Sequence, residues 1–314
     1  MTIGELFRLI LPVFALIGLG VVLRRARWIE GVAEASLLKL VVYVCMPGLV
    51  FETIVGNADL RNPANLFLPP LAGFVSTVGG FGVAYLAGRR IGLAAGSGLR
   101  TFALSAGIGN YSYLPLPIVG GIWGVQAQGV VLVHNVGVDL ALWSVGVLVL
   151  TGSTAGAWRR IVTPMLVTIL AAIAINLAGL AAHVPGVVHS MARSLGACAI
   201  PIGLLLTGTN LADYLDEPRK LLHPKVAAAA CAVRLAILPA LILCLARWLP
   251  CSADLKRVLV VQAAMPSAVF PIIMARYFGG QPLTAVQVVL STTAIGFLTC
   301  PFWIRAGLAW AGVG

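Results

Sequence analysis

Two stretches decide how this chain folds: Gly107 to Pro117, GIGNYSYLPLP, and Met265 to Pro271, MPSAVFP. Each lies inside a long apolar run. A proline there lacks a backbone N–H and clashes with the preceding turn, while Asn, Tyr and Ser bring polar groups that hydrocarbon cannot satisfy. Irregular backbone survives at membrane depth only against protein or a wet cavity, and broken helices in matching positions of two halves point to a transporter's binding site. The two stretches are therefore expected to be helix breaks that together form a site.

The composition around them belongs to a polytopic, all-α membrane protein. Hydrophobic residues make up 60% and charged residues 10%, against about half and about one quarter in an average soluble domain; the mean hydropathy is +1.01. The net charge of +11 does not imply nucleic acid, because the basic residues form no patch interleaved with aromatics. The cysteines Cys45, Cys198, Cys231, Cys244, Cys251 and Cys300 show no CxxC or Cys/His spacing and read as packing residues. The first apolar run follows Glu5, carries Arg8 and lacks a small-residue cleavage site, so it reads as a span rather than a signal peptide.

Working outward, each span needs about twenty largely apolar residues to cross roughly 30 Å of hydrocarbon. Ten runs qualify: 6–22, 35–55, 66–87, 99–122 and 127–150, then 161–181, 188–211, 226–248, 255–278 and 283–304. The odd-numbered connections hold Arg24, Arg25, Arg27, Arg89, Arg90, Arg100, Arg159, Arg160, Arg219, Lys220, Lys225 and Arg276, twelve basic residues against seven on the other side. Lys and Arg are retained on the cytoplasmic side, so both termini are expected outside. Thr151 to Ala157, TGSTAGA, reads as the linker between halves 1–154 and 155–314. Pro47 and Pro201 differ by 154 positions, and so do Pro117 and Pro271. One offset aligns both pairs on equivalent spans, and an odd number of spans per repeat makes two five-helix repeats inverted.

Several segments resemble the auxin efflux carrier family in its bacterial branch: LLKLVVYVCMPGLVF in the second span, FALSAGIGNYSYLPLP in the fourth, VRLAILP in the eighth and VVQAAMPSAVFPIIMARYFGG in the ninth. The resemblance covers nearly the whole chain. It implies ten spans in two inverted repeats, related in fold to the bile acid:sodium symporters, with the fourth and ninth helices crossing at their proline breaks. It also implies a scaffold of spans 1, 2, 6 and 7 (residues 1–60 and 160–215) and a transport domain of the other spans (61–152 and 222–308) that moves against it, elevator-like. A homodimer through the scaffold and location in the bacterial inner membrane follow from the same resemblance. Tyr111, Ser112 and Tyr113 replace the glycines common in this fourth-span motif, which departs from the family's usual site.

A helix broken near the midplane exposes N–H groups and a positive dipole end, so two crossed breaks can hold an anion. Asn110, Tyr111, Ser112 and Ser267 are the expected hydrogen-bonding residues, Tyr113 and Phe270 the expected wall, and Pro117 and Pro271 the breaks themselves. Ionisable residues inside spans are functional hypotheses by default. Asp139 shares a helix face with Asn135, four residues earlier, and is the candidate proton carrier. Arg234 either pairs with Asp139 or contacts an anionic substrate. Lys39 is expected to snorkel to the inner interface, and His134 to sit near a span end.

The sequence holds no P-loop, HExxH or GxSxG and implies no cofactor, metal or catalytic residue. The reading that follows is a secondary transporter exporting a small organic anion, a carboxylate, by alternating access with proton coupling. Sodium coupling of the bile-acid-symporter type is the runner-up. A passive channel or a membrane enzyme using Asp139 and His134 are alternatives of another class.

Overall fold

The computed structural model describes residues 1–153, 162–215 and 223–314. Linker residues 154–157 and the basic residues Arg159, Arg160, Arg219 and Lys220 lie outside them. Among the described residues the regular structure is helical, without a strand. The helices are α1 (Ile3–Arg25), α2 (Gly31–Ile54), α3 (Ala64–Arg90), α4 (Leu99–Gly107), α5 (Pro115–Trp123), α6 (Val125–Thr151), α7 (Pro164–Leu177), α8 (Gly186–Ala212), α9 (Pro224–Trp248), α10 (Ala253–Ala264), α11 (Phe270–Tyr277) and α12 (Pro282–Ala311).

Seven of these, α1, α2, α3, α6, α8, α9 and α12, are long and apolar enough to cross a bilayer. The apolar run expected over 161–181 forms the shorter α7, 14 residues that begin at Pro164 with Thr163 capping the Leu166 N–H. The two remaining runs, 99–122 and 255–278, are interrupted. Each becomes two short helices, α4 with α5 and α10 with α11, joined by extended backbone.

Local chemistry accounts for the helix ends. Thr2 and Glu5 form a reciprocal capping box at the start of α1, and Arg24 and Arg25 occupy its last turn, where the dipole favours cations. Ser252 caps α10 through the Leu255 N–H. Prolines open α5, α7, α9 and α12, positions where the missing N–H costs nothing. Three long helices carry one wider π turn each: Val41–Cys45 in α2, Leu142–Gly146 in α6 and Val233–Ile237 in α9. In α9 the turn precedes Pro239, whose ring leaves the Leu235 carbonyl without its helical donor; the Trp303 indole N–H of α12 fills that place at 2.7 Å.

Lipid offers no hydrophobic drive for helix association, so close packing through small residues takes its place. Glycine supplies the approach. A Cβ on Gly20 of α1 would collide with the Leu205 carbonyl of α8, and one on Gly48 of α2 with the Ala192 carbonyl of the same helix. The other tight seam joins α3 to α6, where a Cβ on Gly137 would collide with the Pro70 carbonyl and one on Gly73 with the His134 carbonyl. Helices α1, α2, α7 and α8 thus form one packed group. Helices α3 and α6 enclose the first broken helix with α9, α10 and α12 around the second. All six cysteines are unpaired; Cys45 and Cys300 are buried packing residues, whereas Cys198 is exposed.

Gly137→Ala is expected to destabilise the fold by about 1–3 kcal/mol through overpacking against the α3 backbone. Gly79→Ala, on an exposed position of α3 with no atom near its Cβ, is neutral or slightly stabilising. Thermal unfolding of the two purified variants in one detergent checks the contrast, and equal midpoints would contradict the packing.

Candidate functional site at the crossing of two broken helices

The two breaks meet. Between α4 and α5 the chain runs extended past Gly109, and between α10 and α11 it runs extended past Ser267. These residues form an antiparallel bridge. The Asn110 N–H donates to the Pro266 carbonyl at 2.7 Å, and the Ala268 N–H donates to the Ile108 carbonyl at 3.2 Å. Backbone that left its helices is thereby paired again, strand to strand, in the one place where neither helix could satisfy it.

Side chains complete the accounting. The Asn110 Oδ1 accepts from the Leu114 N–H at 3.3 Å, a cap on the start of α5. Gln262 of α10 donates its amide to the Tyr111 carbonyl at 3.0 Å and to Asn135 Oδ1 of α6 at 3.3 Å. Asn135 in turn donates to the Ser112 hydroxyl at 3.1 Å. The Ser267 N–H donates to the Thr292 hydroxyl of α12 at 3.2 Å. Arg234, buried in α9, donates to the Met265 carbonyl at 2.8 Å and to the Gln262 carbonyl at 3.1 Å.

A cavity of about 320 Å³ opens against this crossing. Its wall on one side is Asn110, Tyr111, Ser112 and Tyr113 from the first break, Ala268, Val269 and Phe270 from the second, and Asp139 with Trp143 from α6. The opposite wall comes from α2, α7 and α8, including Met46, Met165, Gly203, Thr207 and Asn210. Tyr113 reaches across it: its ring lies where a Cβ on Gly203 would be, so only glycine fits there. Trp143 and Phe270 meet edge to face with ring centroids 5.7 Å apart. The Tyr111 hydroxyl donates to Asp139 Oδ1 at 2.8 Å. Among the described residues that line it, none is Lys or Arg.

Tyr111 also borders a second, smaller cavity of about 30 Å³ on the other side of the crossing, with Ser76, Thr77, His134, Arg234 and Gln262. That volume suits a water-sized group. The His134 Nε2 has no hydrogen-bond partner in the described structure, and Nδ1 lies 3.4 Å from Asn135 Oδ1.

Several expected residues therefore converge and others do not. Asn110, Tyr111, Ser112, Tyr113, Phe270 and Asp139 line the large cavity. Asn135 is fully buried one step behind it, and Ser267 is buried at the pairing itself. Pro117 and Pro271 lie in the first turns of α5 and α11, as the third and second residues, at the edges of the breaks they help create. Of the two alternatives for Arg234, pairing with Asp139 is not what forms: the guanidinium takes backbone carbonyls, and Asp139 takes Tyr111. His134 corrects the expectation of a span end. It is the tenth residue of the 27-residue α6 and 2% exposed, because α3 and the crossing pack on that face. Lys39 is exposed on α2, between the exposed Leu38 and Leu40.

Sequence reasoning passed over Gln262, Gly203, Thr207 and Asn210, and it read Trp143 as one of the interfacial aromatics near span ends, whereas Trp143 lies within α6 on the cavity wall. A signal existed for two places. Gln262 is a lone amide in the apolar VLVVQAAM, and TGTN at 207–210 is a polar cluster within a span.

Comparison with known proteins follows the same lines. A family model described as membrane transport protein matches residues 6–157 and again 153–304. The chain is similar to an uncharacterized transporter of Methanothermobacter thermautotrophicus, 26% identical over 303 residues that span 94% of this chain and 96% of that one. It is also similar to an uncharacterized transporter of Methanocaldococcus jannaschii, 21% identical over 271 residues, 84% of this chain and 86% of that one.

Gln262→Leu keeps the volume but removes the donor from the Tyr111 carbonyl and the Asn135 amide. Leaving buried acceptors unpaired costs about 1–3 kcal/mol, so the thermal midpoint should fall by several degrees. An unchanged midpoint would mean that the amide does not hold the crossing together.

Proposed function

Because the chain belongs to the membrane transport protein family, the auxin efflux carrier family its motifs resemble, we propose that it is a secondary transporter exporting a small organic anion by alternating access. The observation that carries this reading is the cavity bounded by both breaks on one side and by α2, α7 and α8 on the other. A site between two packed groups changes its exposure when one group moves against the other.

The repeat architecture fits. The two breaks run antiparallel where they pair, as equivalent segments of two inverted five-helix repeats would. On this reading the full topology has ten spans, the broken fourth and ninth among them. The scaffold is residues 1–60 and 160–215, and the transport domain is residues 61–152 and 222–308. The cavity is lined by the first and middle parts of α2, the start of α7 and the later parts of α6 and α8. It thus lies toward the connections that carry most of the basic residues, and with both termini outside this is the inward-facing state.

The chemistry of the wall selects the cargo. A largely apolar, aromatic surface with a few amides and hydroxyls suits a small carboxylate with some apolar body. Among the described residues Asp139 is the sole carboxylate on that wall, and an anion beside it repels its charged form. Anion binding and proton uptake at Asp139 then favour one another, which is coupling by linkage. A dicarboxylate carrying one such proton keeps a net negative charge, and an inside-negative potential drives it outward by about 2.3 kcal/mol per charge per 100 mV. The same carboxylate, with no Lys or Arg on the wall, favours as a second reading an organic cation bound directly by Asp139.

A thermal-shift panel on purified protein separates the readings. Stabilisation by carboxylates at low pH supports the proposal, stabilisation by amines alone supports the cation reading, and a flat panel removes the cavity as a binding site. For one linked proton, carboxylate affinity should fall by up to about tenfold per pH unit as pH rises past the titration of Asp139. Asp139→Asn should bind with pH-independent affinity and lose pH-driven flux in proteoliposomes. Unchanged pH dependence of both would end the proton role.

A further inference from the structure

Arg234 is a buried guanidinium with no carboxylate partner among the described residues. It is 3% exposed, and the hydrogen bonds that hold it run to the backbone carbonyls of Met265 and Gln262, at 2.8 and 3.1 Å. Those carbonyls close the C-terminal end of α10, where the chain leaves the helix and the dipole is negative. The second half-helix ends at the same place. Helix α4 stops at Gly107, and a Cβ on Gly109, two residues on, would run into the guanidinium. The charge therefore sits where two half-helix C-termini converge, each equivalent to roughly half a negative charge. The π turn Val233–Ile237 carries Arg234 into this position.

Unwound carbonyls and half-helix C-termini are also what coordinates a coupling cation in transporters with broken helices. We infer that the Arg234 guanidinium is the resident cation of the crossing, filling with a tethered group the carbonyl position that a sodium ion would need, so that the site requires no sodium. This rests on the transporter reading for its consequence, cation-independent flux, but its structural content is separate. Gly109 is small for the same reason, since a side chain there would displace the guanidinium. The guanidinium's planar fork suits two carbonyls at once, whereas an ammonium offers a point charge.

The test uses purified full-length protein and reads thermal unfolding in sodium chloride against choline chloride at equal ionic strength. The wild type should show one midpoint in both salts. Arg234→Ala should fall by several degrees in choline chloride and recover at least half of that loss on addition of low-millimolar guanidinium or of sodium. Arg234→Lys, the variant kept in case the alanine protein does not fold, should unfold below the wild type but above Arg234→Ala and remain indifferent to sodium, since its ammonium keeps the charge but reaches the two carbonyls less well. Stabilisation of the wild type by sodium over choline would overturn the inference, as would an alanine variant that no cation restores. These readouts do not involve substrate. A flat carboxylate panel would sink the transport reading and leave them standing, while sodium dependence of the wild type would sink this inference and leave a sodium-coupled transporter.

Discussion

The structure depends on a short piece of antiparallel backbone pairing deep within the packed helices. Residues 108–110 and 266–268 have left their helices, and the exchange of N–H and carbonyl between Asn110 and Pro266 and between Ala268 and Ile108 replaces what they lost. In a bilayer the alternative is an unpaired peptide group, which costs several kcal/mol. That constraint explains why the polar residues of these helices cluster as they do. Gln262, Asn135, Thr292 and Arg234 come from α10, α6, α12 and α9, and each attends to a backbone group or side chain of one of the breaks.

The same constraint sets what remains for binding. Asn110 spends its carbonyl oxygen capping α5, and Ser267 is enclosed at the pairing. The face turned to the large cavity keeps Tyr111 with Asp139, the Ser112 hydroxyl and the aromatic rings of Tyr113, Trp143 and Phe270. The two cavities share Tyr111, so the hydroxyl on Asp139 and the carbonyl held by Gln262 belong to one residue that separates them.

How much of this the sequence disclosed depends on range. Proline spacing marked both breaks, because a missing N–H is a local fact that needs no partner to be recognised. The i, i+4 spacing of Asn135 and Asp139 put both on the face of α6 that meets the first break, and Tyr111 and Ser112 receive them there. What stayed hidden are contacts between elements far apart in the chain. Trp303 on the Leu235 carbonyl and Tyr113 over Gly203 are examples, since nothing local marks the receiving group. Arg234 shows the limit most plainly: its charge was visible, but its partners are backbone carbonyls, which every residue has. His134 was misplaced because an apolar run does not say which of its faces the protein covers.

The partition of these bonds bears on how the molecule can move. Every hydrogen bond described for the breaks ends on α5, α6, α9, α10, α11, α12 or the breaks themselves, and none of those described ends on α1, α2, α7 or α8. The contacts from the first break and α11 to α8 are of another kind: the Tyr113 ring against Gly203, and Arg276 of α11 stacked 5.0 Å from the Tyr214 ring beyond the end of α8. Steric and cation–π contacts re-form at a new register with little loss, whereas a buried peptide bond parted from its partner in hydrocarbon does not. A displacement of the crossing relative to α8 therefore carries its polar network along intact. The glycine at 203 leaves room for the Tyr113 ring where any side chain would collide with it.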